Sequence, residues 1–216
     1  MLKFIKSFFS FILILLSCQL VAQNDYKPVT GNILTQYKTQ IKAKNGQITS
    51  LTCPFTQTKN MSILKNPNIT KGIMYFKKND KFRWEYYNNP KFIFAQNGKT
   101  IYTKSGDKVQ IIKDNSVILY QQISKLVMQS INGEILDNNK EFTTKFEENG
   151  QFIRIIMEPK QRNMKKFIAS IQLQIDKKSY LATQFILNEP NGDNTIIKFE
   201  NVKLNQTIDD SMFILK

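Results

Sequence analysis

Along most of the chain, apolar and polar positions alternate with a period of two; in two places the period lengthens to that of a helix. From Thr30 to Asn45 the apolar residues Ile33, Leu34, Tyr37 and Ile41 recur at helical spacing, with Thr30 as N-cap and Asn45-Gly46 as the stop. From Ser116 to Ile131 the stripe is Leu119, Ile123, Leu126, Val127 and Ser130, capped by Ser116 and ended by Asn132-Gly133. The rest reads as strands.

The stretch Lys71 to Pro90 predicts the central hairpin. Two aromatic-rich runs, Gly72 to Phe76 and Phe82 to Tyr87, flank the polar tetrad Lys77, Lys78, Asn79 and Asp80. Strand alternation puts Phe82, Trp84 and Tyr86 on one face and Arg83, Glu85 and Tyr87 on the other. An aromatic face of that breadth has to meet a core or a ligand. Upstream, Ile48 to Gln57 reads as a strand interrupted at Pro54, which places it at an edge or gives it a bulge, because proline has no N–H for the ladder.

Downstream, Phe92 to Gln96, Thr100 to Thr103 and Lys108 to Ile112 are joined by Asn97-Gly98 and Ser105-Gly106-Asp107, a meander. After the second helix, strands are expected over Phe142 to Glu147, Phe152 to Glu158, Ile168 to Asp176, Leu181 to Asn188 and Thr195 to Leu204. The pattern predicts α+β architecture: one large antiparallel sheet with two helices, too few to cover both faces. The sheet must therefore curl around them, concave side inward.

The first 22 residues change the compartment. Lys3 and Lys6 precede an apolar run from Phe8 to Leu16 and then small and polar residues, so 1–22 reads as an export signal and 23–216 as one domain. A retained anchor helix is the alternative. A third is lipidation, since Leu15-Leu16-Ser17-Cys18 loosely matches a bacterial lipobox. Once the signal is removed only Cys53 remains, so no internal disulfide forms and stability rests on packing.

The net charge of +14 falls by two without Lys3 and Lys6. The excess is nearly all lysine, with arginine only at 83, 154 and 162, which argues against nucleic-acid readout. An anionic membrane surface, an acidic partner or a merely solvated face are the remaining readings. The segment Glu158 to Phe167 gathers Lys160, Arg162, Lys165 and Lys166 beside Met164, expected to be exposed. It is either a solvated hairpin tip or a docking site for a membrane partner.

Candidate chemistry is sparse. There is no histidine, so the commonest general base and metal ligand is missing and nothing of that kind activates Cys53. Thiolate zinc clusters, phosphate-binding glycine loops and nucleophile elbows are absent too. The expectation is a non-enzyme without metal or cofactor.

In order and spacing, several segments resemble the periplasmic outer-membrane lipoprotein carriers, the LolA-like family. They are Phe55-Thr56-Gln57, Gly72 to Phe76, Phe82 to Tyr86 with Pro90, Asn97 to Tyr102, Gly192 to Thr195, Phe199 with Asn201, and Phe213. The resemblance implies an unclosed half-barrel around lid helices, with an apolar cavity that holds acyl chains. Met74, Phe76, Phe82, Trp84, Tyr86 and Phe94 are its candidate lining, although the pattern alone favours ordinary core packing against the helices. Members carry Arg-Pro after the first hairpin strand to fasten the lid, and Lys78-Asn79 stand there in this chain. The implied partners are acylated lipoproteins or lipids, an inner-membrane releasing ABC transporter complex and an outer-membrane acceptor, met by a monomer in the Gram-negative periplasm. Two alternatives are a lipidated acceptor anchored through Cys18 and an envelope acyl hydrolase.

Overall fold

The computed structural model describes residues 25–87, 91–113, 116–137 and 140–216. The segment expected to direct export, with Cys18, residues Asn88 to Pro90 and the side chains of Leu119 and Ile123 lie outside the described residues.

The first half of the chain runs β1 (Lys27–Pro28), α1 (Gly31–Asn45), β2 (Ser50–Asn60), β3 (Asn68–Lys77), β4 (Lys81–Tyr86), β5 (Phe92–Asn97), β6 (Thr100–Ser105) and β7 (Lys108–Ile112). After α2 (Ser116–Asn132) come β8 (Phe142–Glu148), β9 (Phe152–Pro159), α3 (Arg162–Lys165), β10 (Ser170–Asp176), β11 (Ala182–Asn188), β12 (Asn194–Phe199) and β13 (Lys203–Leu204). Single 3-10 turns lie at Glu134–Asp137 and Asp210–Phe213.

Among the described residues there is one 13-stranded sheet, in the order β1-β8-β9-β10-β11-β12-β2-β3-β4-β5-β6-β7, with β13 added to β2. Its pairings are antiparallel, and its ends β1 and β7 are not joined. The sheet is thus curved but unclosed, as the pattern of strands and two covering helices predicts. Its concave face carries the alternating residues Cys53, Phe55, Met74, Phe82, Trp84, Phe94, Ile155, Ile171, Leu173 and Phe185, all buried in one cluster with Ile41, Leu126 and Ile131 from the helices. Burial of this apolar area against α1 and α2 is the main stabilising term.

Three local expectations differ from what the chain does. Pro54 lies in the centre of the sheet: β2 pairs β3 in unbroken register through Pro54↔Ile73. Its other neighbour is the irregular one. β12 stops at Phe199 opposite Phe55 and β13 resumes at Lys203 opposite Thr52, with the Glu200 N–H donating to the Pro54 carbonyl at 3.0 Å. In an antiparallel strand a residue's N and C=O face the same neighbour, so the missing Pro54 N–H faces the break and removes no ladder bond. For the same reason the predicted strand over Thr195 to Leu204 is two strands. The second difference is at the first helix: Thr30 occupies the N-cap position, but its side chain makes no capping bond. Third, α3, the two 3-10 turns and β1 have no counterpart among the predicted elements.

The turns predicted from dipeptides follow their chemistry. Gly98 (φ +59°) and Gly106 (φ +56°) each open a two-residue hairpin loop, and Gly133 (φ +79°) ends α2. Gly133 packs against Lys42 and Asn45 of α1, so the C-terminal ends of the two helices meet.

The outer face of the sheet has its own cover. Ile93, Ala95 and Leu215 form a second buried cluster with Tyr102 and Val109, and Phe213 is fully buried. The C-terminal segment is strapped across β3 and β4 by polar contacts: Arg83 Nη1 donates to Met212 O (2.9 Å), while Lys77 (2.6 Å) and Lys81 (2.5 Å) bind the two oxygens of Asp210.

Candidate functional site

The aromatic face predicted for the central hairpin becomes one wall of a cavity. Cross-strand register sets Trp84 opposite Met74 and Phe94, and Tyr86 opposite Gly72 and Phe92. Gly72 makes room: a Cβ there would lie 2.4 Å from the Phe55 ring and 2.1 Å from Glu85 O. Phe55 therefore lies across β3, with its ring 4.1 Å from that of Trp84 and edge-on to Tyr86 at 5.6 Å. Phe82 extends the row at 6.0 Å from Trp84 and 6.1 Å from Phe94. Offset and tilted rings at these separations form a continuous, rigid apolar surface.

Opposite this wall stand Ile171 of β10, Phe185 and Leu187 of β11, and Thr195 and Ile197 of β12; Ser124, Leu126 and Val127 of α2 form the roof. The enclosed space measures about 670 Å³. Its polar lining groups are few, and among them the buried Trp84 Nε1 has no hydrogen-bond partner. The Tyr86 hydroxyl donates to Gln57 Oε1 at 2.9 Å, and burial pushes its pKa up, so it stays neutral. Ser124 Oγ donates to Gln96 Oε1, and Gln96 Nε2 in turn donates to Gly98 O at 2.8 Å. The charged lining residues, Lys166 and Glu189, sit on the β9–β10 and β11–β12 connections at the open end, with Phe167, Pro190 and Asn191. An apolar chamber with charge only at its mouth suits an apolar ligand.

Of the six residues predicted as lining, the structure brings Phe82, Trp84, Tyr86 and Phe94 to this cavity. Met74 lies deeper, beside a void of about 30 Å³ between the sheet and α2, with Cys53, Leu51, Val127 and Ile131. Phe76 borders a separate, polar cleft of about 510 Å³ with Lys78, Lys99, Lys125 and Glu134. Sequence pattern missed the opposite wall. Phe185, Leu187 and Ile197 are ordinary alternating positions, and only sheet curvature brings them across from Trp84.

Lys78 sits on the β3–β4 tip, where Asn79 (φ +69°) and Asp80 (φ +55°) make the turn. Its Nζ donates to Gly46 O, the carbonyl at the end of α1, at 3.2 Å, and its backbone N–H donates to Thr49 O at 2.9 Å. Its donor thus reaches the junction of the two helices. The middle of α1 is tied elsewhere. Tyr37 donates to Glu148 Oε2 (2.5 Å), which also binds Lys177 (2.6 Å), and Tyr180 donates to Gln40. Hydrogen bonds from Lys177 and Tyr37 hold the Glu148 carboxyl below its ordinary pKa.

On the outer face of β4, Glu85 pairs with Arg83 at 2.6 Å and with Lys91. Burial alone would raise its pKa, but Lys91 and Arg83 outweigh that and keep it charged. Cys53 is buried, its Sγ facing Pro54 O (3.1 Å), and burial pushes its thiol up to about 11. It is a packing residue, poorly suited to nucleophilic work. Among the described residues no cluster of three or more histidine, cysteine, aspartate or glutamate side chains is arranged to hold a metal.

Lys160, Arg162, Lys165 and Lys166 lie on and around α3, exposed, at the cavity's open end. Met164, expected to be exposed, is half-buried against the core, because the helical turn folds it inward; Phe167 is the exposed one, at 65%.

Among solved structures, an uncharacterized conserved protein from Thermus thermophilus superposes with a TM-score of 0.53 at 10% identity, covering 85% of this chain and 94% of its own. A LolA superfamily protein from Nitrosomonas europaea gives 0.47 at 9% identity, covering 84% and 97%. An outer membrane lipoprotein-sorting protein domain from Vibrio parahaemolyticus gives 0.47 at 8%, covering 83% and 95%. At such identities likeness speaks for fold alone. No curated protein is a significant match. A family model described as outer membrane lipoprotein carrier protein LolA matches residues 46–216, from the end of α1 to the last residue. Matched over the sheet and α2, the chain belongs to the LolA family of outer membrane lipoprotein carrier proteins.

Proposed function

We propose that the protein carries the acyl chains of lipoproteins, or another hydrophobic envelope lipid, from the inner to the outer membrane without covalent chemistry. The observation that carries this reading is the roughly 670 Å³ apolar chamber with its charged lining confined to the mouth. An acyl chain exposed to water costs about 0.8 kcal/mol per methylene, so an apolar chamber is what such cargo requires in an aqueous compartment. Phe82, Trp84, Tyr86 and Phe94 are the contact wall. Met74 and Phe76 join it only when α2 lifts, since the void and the cleft they border lie along that helix.

In this reading residues 1–22 direct export and residues 23–216 form the carrier domain. Lys78 fastens the lid through Gly46 O. Lys160, Arg162, Lys165 and Lys166 receive the releasing complex or the acceptor. Charge at such a site mainly accelerates encounter.

Purification from the native envelope followed by mass spectrometry of bound lipid tests the proposal. Intact acylated lipid in stoichiometric amount is the expected result. Empty protein, or hydrolysed product accumulating on incubation, overturns it. The same spectrum reads the mature N-terminus, where Gln23 is expected and a lipidated Cys18 would make the protein an acceptor.

A further inference from the structure

Five connections, β2–β3, β4–β5, β6–β7, β9–β10 and β11–β12, lie at one end of the sheet, and the cavity opens among the last two. Most of the large apolar side chains left exposed among the described residues gather at this end. Ile63 is 84% exposed and Leu64 46% on the β2–β3 connection, Ile69 is 59% exposed at the start of β3, Tyr87 58% after β4 and Phe167 65% on the lip of the cavity. Exposed apolar side chains scattered singly need no explanation, but a set gathered on one rim around a cavity does.

The β2–β3 tip is also held in place. The Ser62 N–H donates to Asp193 Oδ1 at 2.8 Å, Leu64 N–H to Met61 O at 2.9 Å, and Asn60 Nδ2 to Asn194 Oδ1 at 2.7 Å. Ile63 and Leu64 are thus presented on a tip fastened to the neighbouring β11–β12 turn. The same end of the sheet carries the exposed cations Lys65, Lys71, Arg162, Lys165 and Lys166. The acidic groups of the adjoining turn are engaged, Glu189 with Lys59 at 3.7 Å and Asp193 with the Ser62 N–H.

We infer that this rim docks on the surface of an anionic lipid bilayer, with Ile63, Leu64 and Phe167 entering the headgroup–acyl boundary and the lysines meeting the headgroups. An acidic protein partner would be satisfied by the lysines alone; apolar tips require an apolar host beyond a charged layer, which is the layering of a bilayer interface. No helix among the described residues is long and apolar enough to cross a membrane. Docked this way, the cavity faces the lipid, and an acyl chain moves between bilayer and chamber without entering water. The inference deepens the carrier reading, but its test needs no cargo.

The mature chain is mixed with vesicles of phosphatidylcholine alone or with phosphatidylglycerol, and the bound fraction is read by flotation. Binding to the anionic vesicles is expected, weakening as salt rises and falling about fivefold for each of Lys65, Lys165 and Lys166 neutralised. The double variant Ile63→Ser/Leu64→Ser is expected to lose about tenfold or more, while Ile111→Ser, 49% exposed on β7 near the other end of the sheet, binds as the parent does. Co-purified lipid is measured on the same variants, so failure of the docking surface and failure of the cavity register separately. No vesicle binding by the parent overturns the inference, as does binding that the double variant retains in full. So does capture by a membrane protein in detergent without binding to protein-free vesicles.

Discussion

The rings of Phe55 and Trp84 meet at 4.1 Å across a strand that lies between their own, and they do so over Gly72, whose missing side chain is the space the Phe55 ring occupies. The consequence is a specific intolerance. Gly72→Ala sets a methyl against Glu85 O at 2.1 Å and against the Phe55 ring at 2.4 Å, and neither β4 nor a buried ring can withdraw cheaply. A loss of about 3 kcal/mol is expected, a fall in Tm of about 6–12 °C for a chain of this size. An unchanged Tm would mean that the ring does not lie over β3.

Lys78 offers a finer test, since its exposed ammonium makes one bond to the end of α1. Lys78→Ala should lower stability by about 1 kcal/mol or less, yet speed exchange of a fluorescent fatty acid about fivefold if that bond holds the lid shut. Lys78→Arg should slow exchange, because a planar guanidinium reaches more than one carbonyl. Identical exchange rates in all three proteins would remove Lys78 from the lid.

The C-terminal strap sets an acid limit. Lys77 and then Lys81 hold the Asp210 carboxyl down at about 2, from an ordinary value of 3.8. A depressed carboxyl stabilises the fold above its ordinary pKa, and that contribution is lost as pH falls toward about 2. Amide protection at Met212 and Ile214, whose N–H groups close the 3-10 turn, taken relative to the intrinsic exchange rate at each pH, should hold from pH 7 to about 4 and fall below it. Asp210→Asn should lower it severalfold already at pH 7, converging with the parent at low pH. A strap equally protected in the variant would be held by Phe213 and Leu215 alone.

What the sequence makes legible is what local periodicity encodes. Phe82, Trp84 and Tyr86 share a face because strands alternate, and Gly98 and Gly106 turn because their φ is positive. Pro54 misleads because its missing donor is excused by a break in a strand almost 150 residues away in sequence, between Phe199 and Lys203. The strap from Asn205 to Leu215 is invisible for a related reason. It has no period, and its register is fixed by Lys77, Lys81 and Arg83 on distant strands. The rim is legible only as scattered residues, since Ile63 and Phe167 lie far apart until β10, β11, β12 and β2 are placed side by side.

The cavity itself needs a variant that separates binding from folding. Trp84→Ala and Phe82→Ala should reduce recovered lipid, but truncating a buried aromatic costs about 3–5 kcal/mol, so a loss of binding has two explanations. Filling the chamber avoids this. Leu187 is half-buried on β11, opposite the aromatic wall, and its side chain borders open volume. Leu187→Trp places the indole in that volume at a stability cost of about 1 kcal/mol or less, because the added atoms displace space and not neighbours. Tm should stay close to the parent while lipid per protein, measured after purification from the envelope, falls severalfold. Undiminished lipid in a well-folded Leu187→Trp would place the cargo outside the chamber, and with it the function proposed for the Phe55–Trp84 wall.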